Sequence, residues 1–186
     1  MGTSTCHRSP STSLPWRFAN VGYQNPGVTN DQLVRDIFIA VKATNGEEYV
    51  NSYSLPSIYS FVKMANTIKD PKDIEINADN EIVKNKDASI YVDIAKRALV
   101  KTITKKEKGE NYISNLFAET AEYLVSRDVS GYLGSEKIKK VKDIIKLKQQ
   151  VRNIVIKESK KVKTKIKSER DLRTHVHKII NNLIKK

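Results

Sequence analysis

The chain has 186 residues, 39% of them hydrophobic and 30% charged, which suits one ordinary domain or a smaller domain with appended segments. Its formal charge of +13 sits at one end: residues 1–135 hold 16 Lys+Arg against 16 Asp+Glu, and residues 136–186 hold 18 against 5. One Cys excludes an internal disulfide framework and a multi-cysteine zinc site, and neither a signal-peptide core nor a run near the roughly 20 apolar residues of a membrane span is present, so a soluble cytoplasmic protein is expected.

In chain order, residues 1–28 form a Ser/Thr/Pro-rich segment with no acidic residue before Asp31. Such a composition offers little apolar area to offset ordering entropy. A flexible tail is expected up to about Pro15, followed by an anchoring stretch whose Trp16, Phe18 and Tyr23 dock on the body. Thr29 and Gln32 make a capping box that opens a helix burying Leu33, Val34, Ile37, Phe38 and Val41 and closing at Asn45-Gly46. A second helix around Pro56 turns Ile58, Phe61, Val62, Ala65 and Ile68 inward. Turn signals at Asp70-Pro71 and Asp79-Asn80, with Ile74-Glu75-Ile76 alternating between them, read as a loop with one short strand over residues 70–86. A third helix over residues 88–103 faces Ile90, Tyr91, Ile94, Ala98 and Leu99 inward. A fourth, over residues 111–129, does so with Ile113, Leu116, Phe117, Ala121, Leu124 and Val125.

Gly131 and Gly134 read as a hinge. Ser135-Glu136 is the expected N-cap of a long helix with Ile138, Val141, Ile144, Ile145, Val151, Ile154 and Val155 along one stripe. Ser168 and Asp171 begin a last helix holding Leu172, Val176, Ile179, Ile180 and Leu183. The expected fold class is mostly α: a flexible tail (1–28), a neutral body of about four helices (29–130), and a basic segment (135–186) of two helices.

No convergent catalytic set emerges, so a non-enzymatic protein without a cofactor is expected. His175 and His177, two apart on a helix, face different sides and cannot share a metal; exposed positions are expected for both. The Gly131–Gly134 stretch lacks the Lys-Ser or Lys-Thr of a phosphate loop. Cys6 has no His or acidic partner in fixed geometry.

The basic end carries a stronger signal. Lys157, Lys160, Lys161, Lys163, Lys165, Lys167, Arg170 and Arg173 fall within 17 residues, a phosphate-binding face whose affinity would come from counterion release and be blind to sequence. The lack of aromatics after Tyr132 argues against single-strand recognition by stacking platforms, and the lack of Trp and Phe there argues against a membrane-surface helix. Lys outnumbers Arg 26 to 8 and Ile contributes 20 residues, a bias that an AT-rich genome also produces. A solvated lysine face, or one for an acidic protein partner, therefore stays open.

At the other end, Met1-Gly2 permits removal of Met1, leaving a glycine amine with a pKa of about 7.7–8.0. The myristoylation pattern wants Ser or Thr at position 6, where Cys6 stands. Met1-Gly2-Thr3-Ser4, leading into a Ser/Pro-rich tail, resembles the N-terminus of the QatB family, small components of the bacterial Qat anti-phage defence system, and the continuation His7-Arg8-Ser9-Pro10, Ser11-Thr12 and Trp16-Arg17 looks like a related group of short bacterial proteins with the same opening. The resemblance covers the first 17–20 residues, about a tenth of the chain; the body carries no motif of that family. It implies a non-enzymatic partner of a QueC-like enzyme and of other defence-operon proteins. Gly2 would be the acceptor for 7-deazaguanine conjugation, and Thr3 and Ser4 the segment read by the enzyme's pocket. The alternative is a sequence-nonspecific DNA- or RNA-binding helical protein acting through its lysines.

Overall fold

The computed structural model describes residues 22–44, 54–68, 70–85, 90–107, 109–127 and 133–185. Trp16, Phe18, the Asn45-Gly46 stop, Gly131 and Tyr132 lie outside them, as do the side chains of Ile90 and Tyr91. The described residues form seven α-helices and two single 3₁₀ turns, with no strand among them.

Helix α1 (Asn30–Thr44) starts at the expected capping box. The Gln32 amide donates to Thr29 Oγ1 at 3.2 Å and the Thr29 amide donates to Gln32 Oε1 at 2.8 Å. Its five expected apolar residues are buried. Helix α2 (Ser54–Thr67) carries Pro56 in its first turn and buries Ile58, Phe61, Val62 and Ala65, with Ile68 packed against the core just beyond its end.

Residues 70–86 do not form the expected loop and strand. Asp70 Oδ1 accepts from the Lys72 amide at 3.0 Å and starts a 3₁₀ turn (Pro71–Asp73), which feeds helix α3 (Ile74–Lys84). Ile74 and Ala78, four apart, are its buried residues, while Ile76 is 66% exposed. The Ile-Glu-Ile alternation is therefore a coincidence on a helix with a narrow apolar stripe, and the described residues of the body form five helices rather than four.

Helix α4 (Ile90–Thr104) buries Ile94, Ala95, Ala98 and Leu99. A 3₁₀ turn (Gly109–Asn111) leads to helix α5 (Tyr112–Arg127), buried at twelve of its sixteen positions. Burial nearly all round marks α5 as the central helix, and its main neighbours are α4 and α6 (Val141–Ser159). Phe117 on α5 meets Phe38 on α1 with ring centroids 5.8 Å apart.

The approach to α6 differs from expectation. Ser135 Oγ accepts from the Ile138 amide at 3.1 Å in a turn closed by Gly134, whose φ of +88° suits glycine. The helix starts later, at Lys140, where Asp143 Oδ2 accepts from the Lys140 amide at 2.9 Å. Its inward stripe is Ile144, Leu147, Val151 and Val155, whereas Val141 and Ile145 are 66% and 65% exposed. Starting the helix at Ser135 put those two residues on the wrong face.

Helix α7 (Glu169–Ile184) is capped as expected, Ser168 Oγ accepting from the Asp171 amide at 3.1 Å. Leu172, Val176, Ile179, Ile180 and Leu183 are all buried, each worth about 1.5–3 kcal/mol on a transfer scale. They pack against α1, α6 and α2, so the last two helices share the core of the body. At the N-terminal side, buried Tyr23 is held by Lys137, whose Nζ donates to the Tyr23 carbonyl at 3.1 Å and to the Val28 carbonyl and lies 4.2 Å from the Tyr23 ring centroid.

Candidate functional site

The eight cations expected to form a basic helical face divide among four segments. Lys157 is exposed near the end of α6, and Arg170 and Arg173 are exposed on α7. Lys160 and Lys161 lie in the turn after α6, and Lys163, Lys165 and Lys167 lie on a non-helical connector, residues 162–167. Along this connector burial alternates residue by residue: Val162, Thr164 and Ile166 are half-buried, and the intervening lysines are exposed. That period of two is the pattern of a strand lying on a surface. Tyr59 on α2 fastens its far end by donating to the Lys167 carbonyl at 2.5 Å. Glu158, buried, pairs with Lys161 at 2.7 Å. Lys163 and Lys165 have no carboxylate partner among the described residues. Gly2, Thr3 and Ser4 lie outside the described residues.

Beneath the connector is a cleft of about 810 Å³ between α2, the Gly109–Asn111 turn, α5, the end of α6 and α7. Its polar lining includes Asn66, Asn111, Ser114, Ser159, Thr164 and His175; its rim carries Lys160, Lys163 and Lys165. Ser159 Oγ, Thr164 Oγ1 and His175 Nδ1 are buried without a hydrogen-bond partner. Leaving a buried polar group unsatisfied costs about 1–3 kcal/mol, so three in one cleft are a feature to be explained. One wall is set by a close approach that only glycine permits. A Cβ on Gly109 would stand 2.1 Å from Asn66 Oδ1 and 2.8 Å from the Ala65 carbonyl oxygen.

His175 is buried rather than exposed, which corrects the sequence expectation; His177 is exposed. Burial first, and the Lys178 ammonium second, hold the His175 imidazole below its ordinary range. The sequence held the signal, since His175 lies three residues after Leu172 and four before Ile179, on the buried stripe. Thr164 was likewise legible from the Val162-Lys163-Thr164-Lys165-Ile166-Lys167 alternation. Ser159 lies four residues after Val155 on the buried stripe of α6 and was legible in the same way, whereas Asn66 carries no such pattern.

A second polar cluster is self-satisfied. Buried Arg152 donates from Nη1 to Glu119 at 2.6 Å and to Glu122 at 3.2 Å, and from Nη2 to Asn115 Oδ1 at 3.1 Å. Lys101 reaches Glu119 at 2.6 Å, and Asn115 donates to Thr102 at 2.9 Å and to Glu107 at 2.7 Å. Burial pushes the Glu119 carboxyl up, but the bonds from Lys101 and Arg152 outweigh it and hold it below the usual range. The network ties α4, α5 and α6 together.

Among the described residues no group of three or more His, Cys, Asp or Glu is placed to hold a metal ion, and no helix is long and apolar enough to cross a membrane. No protein-family model matches the chain, and neither the curated proteins nor the solved structures yield a match.

Proposed function

We propose that this chain is a non-enzymatic accessory protein that holds a nucleic-acid phosphate backbone on the connector between its last two helices. The observation that carries this reading is the alternation over residues 162–167, which points successive lysines outward. At about 3.3 Å per strand residue, successive lysines recur every ~6.6 Å, a spacing on which a flexible single strand can lay consecutive phosphates. Residues 157–173 hold eight Lys+Arg against three Asp+Glu, and ammonium groups act on phosphates as point charges without reading bases. The test is fluorescence anisotropy with a labelled single-stranded oligonucleotide over a salt series. Replacing Lys160, Lys161, Lys163 and Lys165 together by Gln should flatten the log–log salt slope by about 3, near 0.7 per released contact. Absence of salt-sensitive binding to DNA or RNA overturns the reading.

A second reading concerns the other end. From the Met1-Gly2-Thr3-Ser4 start we propose that the chain serves an anti-phage defence system, with the Gly2 amine as acceptor for 7-deazaguanine conjugation by a QueC-like partner. Intact mass and N-terminal peptide mapping, after expression with a QueC-like enzyme from the same operon, decide the matter. An added mass on Gly2 matching a 7-deazaguanine amide supports the reading, and a bare Gly2 beside an active enzyme overturns it.

A further inference from the structure

We propose that the cleft beneath the connector is a nucleotide-binding site, which shares its rim lysines with the backbone-binding surface above it and adds a buried polar floor. Ser159, Thr164 and His175 come from three different elements, yet all three residues line this one cleft, and Ser159 Oγ, Thr164 Oγ1 and His175 Nδ1 are buried without a partner. Ser159 and His175 are only 2% and 7% exposed. Buried polar groups in folded proteins nearly always have partners, so three orphans on one cavity mark where the polar atoms of a ligand fit. Hydroxyls donate and accept, and a neutral imidazole carries one donor and one acceptor nitrogen. The cluster can therefore match the mixed edge of a heterocyclic base.

Charge and size narrow the class. The rim bears three ammonium groups, and no described residue lining the cleft is acidic, so the ligand carries negative charge. Aliphatic side chains from α2, α5 and the connector line the cleft beside the polar groups and offer apolar surface to a planar ring. The volume of about 810 Å³ falls in the usual range for small-molecule sites, about 300–1,000 Å³, and exceeds what a phosphate alone occupies. A phosphate on the lysine rim with its base on the buried hydroxyls and imidazole uses every part. Inorganic phosphate leaves the orphans unmet, and a neutral nucleoside leaves the lysines unmet.

The experiment is isothermal titration of the full chain with AMP, GMP, CMP and UMP, using inorganic phosphate and adenosine as controls. At least one nucleotide should bind more tightly than either control. Thr164→Val and Ser159→Ala should each weaken it about 5- to 10-fold. The same variants should keep or raise Tm, since each removes an unsatisfied buried hydroxyl; a merely structural role would lower Tm instead. Thr164→Val lies on the half-buried connector and keeps the test decisive if Ser159→Ala fails to fold. No nucleotide binding at millimolar concentration, unaltered binding by the variants, or phosphate binding as tightly as nucleotide each overturns the proposal. Oligonucleotide affinity should be unchanged by Thr164→Val, so failure of this site and failure of the backbone surface are separable.

Discussion

Replacing Arg152 by Met probes what holds α6 to the central helix. Arg152 and Glu119 are 6% and 7% exposed, and the guanidinium bonds Glu119, Glu122 and Asn115 at 2.6, 3.2 and 3.1 Å. Removing one partner of a buried pair costs about 3–5 kcal/mol, because the other charge is left in a medium that solvates it badly. Here Glu119 keeps Lys101 at 2.6 Å, and that lysine is 46% exposed and can follow it toward water. The low end, about 3 kcal/mol, is therefore expected. At about 2–4 °C per kcal/mol for a chain of this length, Tm should fall by roughly 6–12 °C. Urea denaturation followed by far-UV circular dichroism measures it. The double variant Arg152→Met with Glu119→Leu should recover part of the loss, since no charge is then stranded. A single variant within 1 kcal/mol of the parent, or a double variant worse than the sum of its parts, would refute the reasoning.

Three further predictions follow from the geometry. Ser168→Ala removes the α7 cap and should cost about 1 kcal/mol, seen as a lower urea midpoint. Lys137→Met deletes the two bonds to the Tyr23 and Val28 carbonyls; a loss of about 2 kcal/mol and faster amide exchange at Asn25 and Val28 should accompany it. For His175, burial first and Lys178 second depress the folded-state pKa. The unfolded chain, with a pKa near its ordinary value of about 6.5, takes up a proton that the native chain refuses. This contribution is therefore fully present above about pH 7 and is lost as pH falls through about 6.5 toward the lower folded-state value. Tm should drop more for the parent than for His175→Gln between pH 7.5 and 5.5, and equal drops would remove His175 from the account.

Where the sequence foretold the fold, a local signal agreed with burial. The Thr29–Gln32 box, the Ser168 cap and the stripe from Leu172 to Leu183 each describe one element and need nothing from elsewhere in the chain. The failures came where two local signals competed. At Ile74 a period of two over three residues outvoted the four-residue spacing of Ile74 and Ala78, with Ile82 packed against the core. At Ser135 a good capping residue precedes the true start, which Asp143 fixes by accepting from the Lys140 amide. The cleft was legible only in part. Burial of Thr164 and His175 can be read from periodicity, but their shared cavity with Ser159 and Asn66 depends on how α2 and α7 pack.

The connector between α6 and α7 shows why one segment serves both the lysine surface and the cleft. Were α6 to continue as a helix, Lys161 would lie over Lys165 and Lys163 over Lys167, each like-charge pair costing about 0.2–0.5 kcal/mol. Val162, Thr164 and Ile166 would add the rotamer cost that β-branched side chains incur on a helix. The same six residues in strand-like backbone avoid both, since alternation sends every lysine to water and every β-branched residue inward. That inward row needs a surface to cover, and the orphaned Thr164 hydroxyl shows that apolar packing alone does not fill it. The charge pattern that breaks the helix thus also roofs a polar cleft, so the exposed cations and the buried hydrogen-bonding groups are two faces of one sequence alternation.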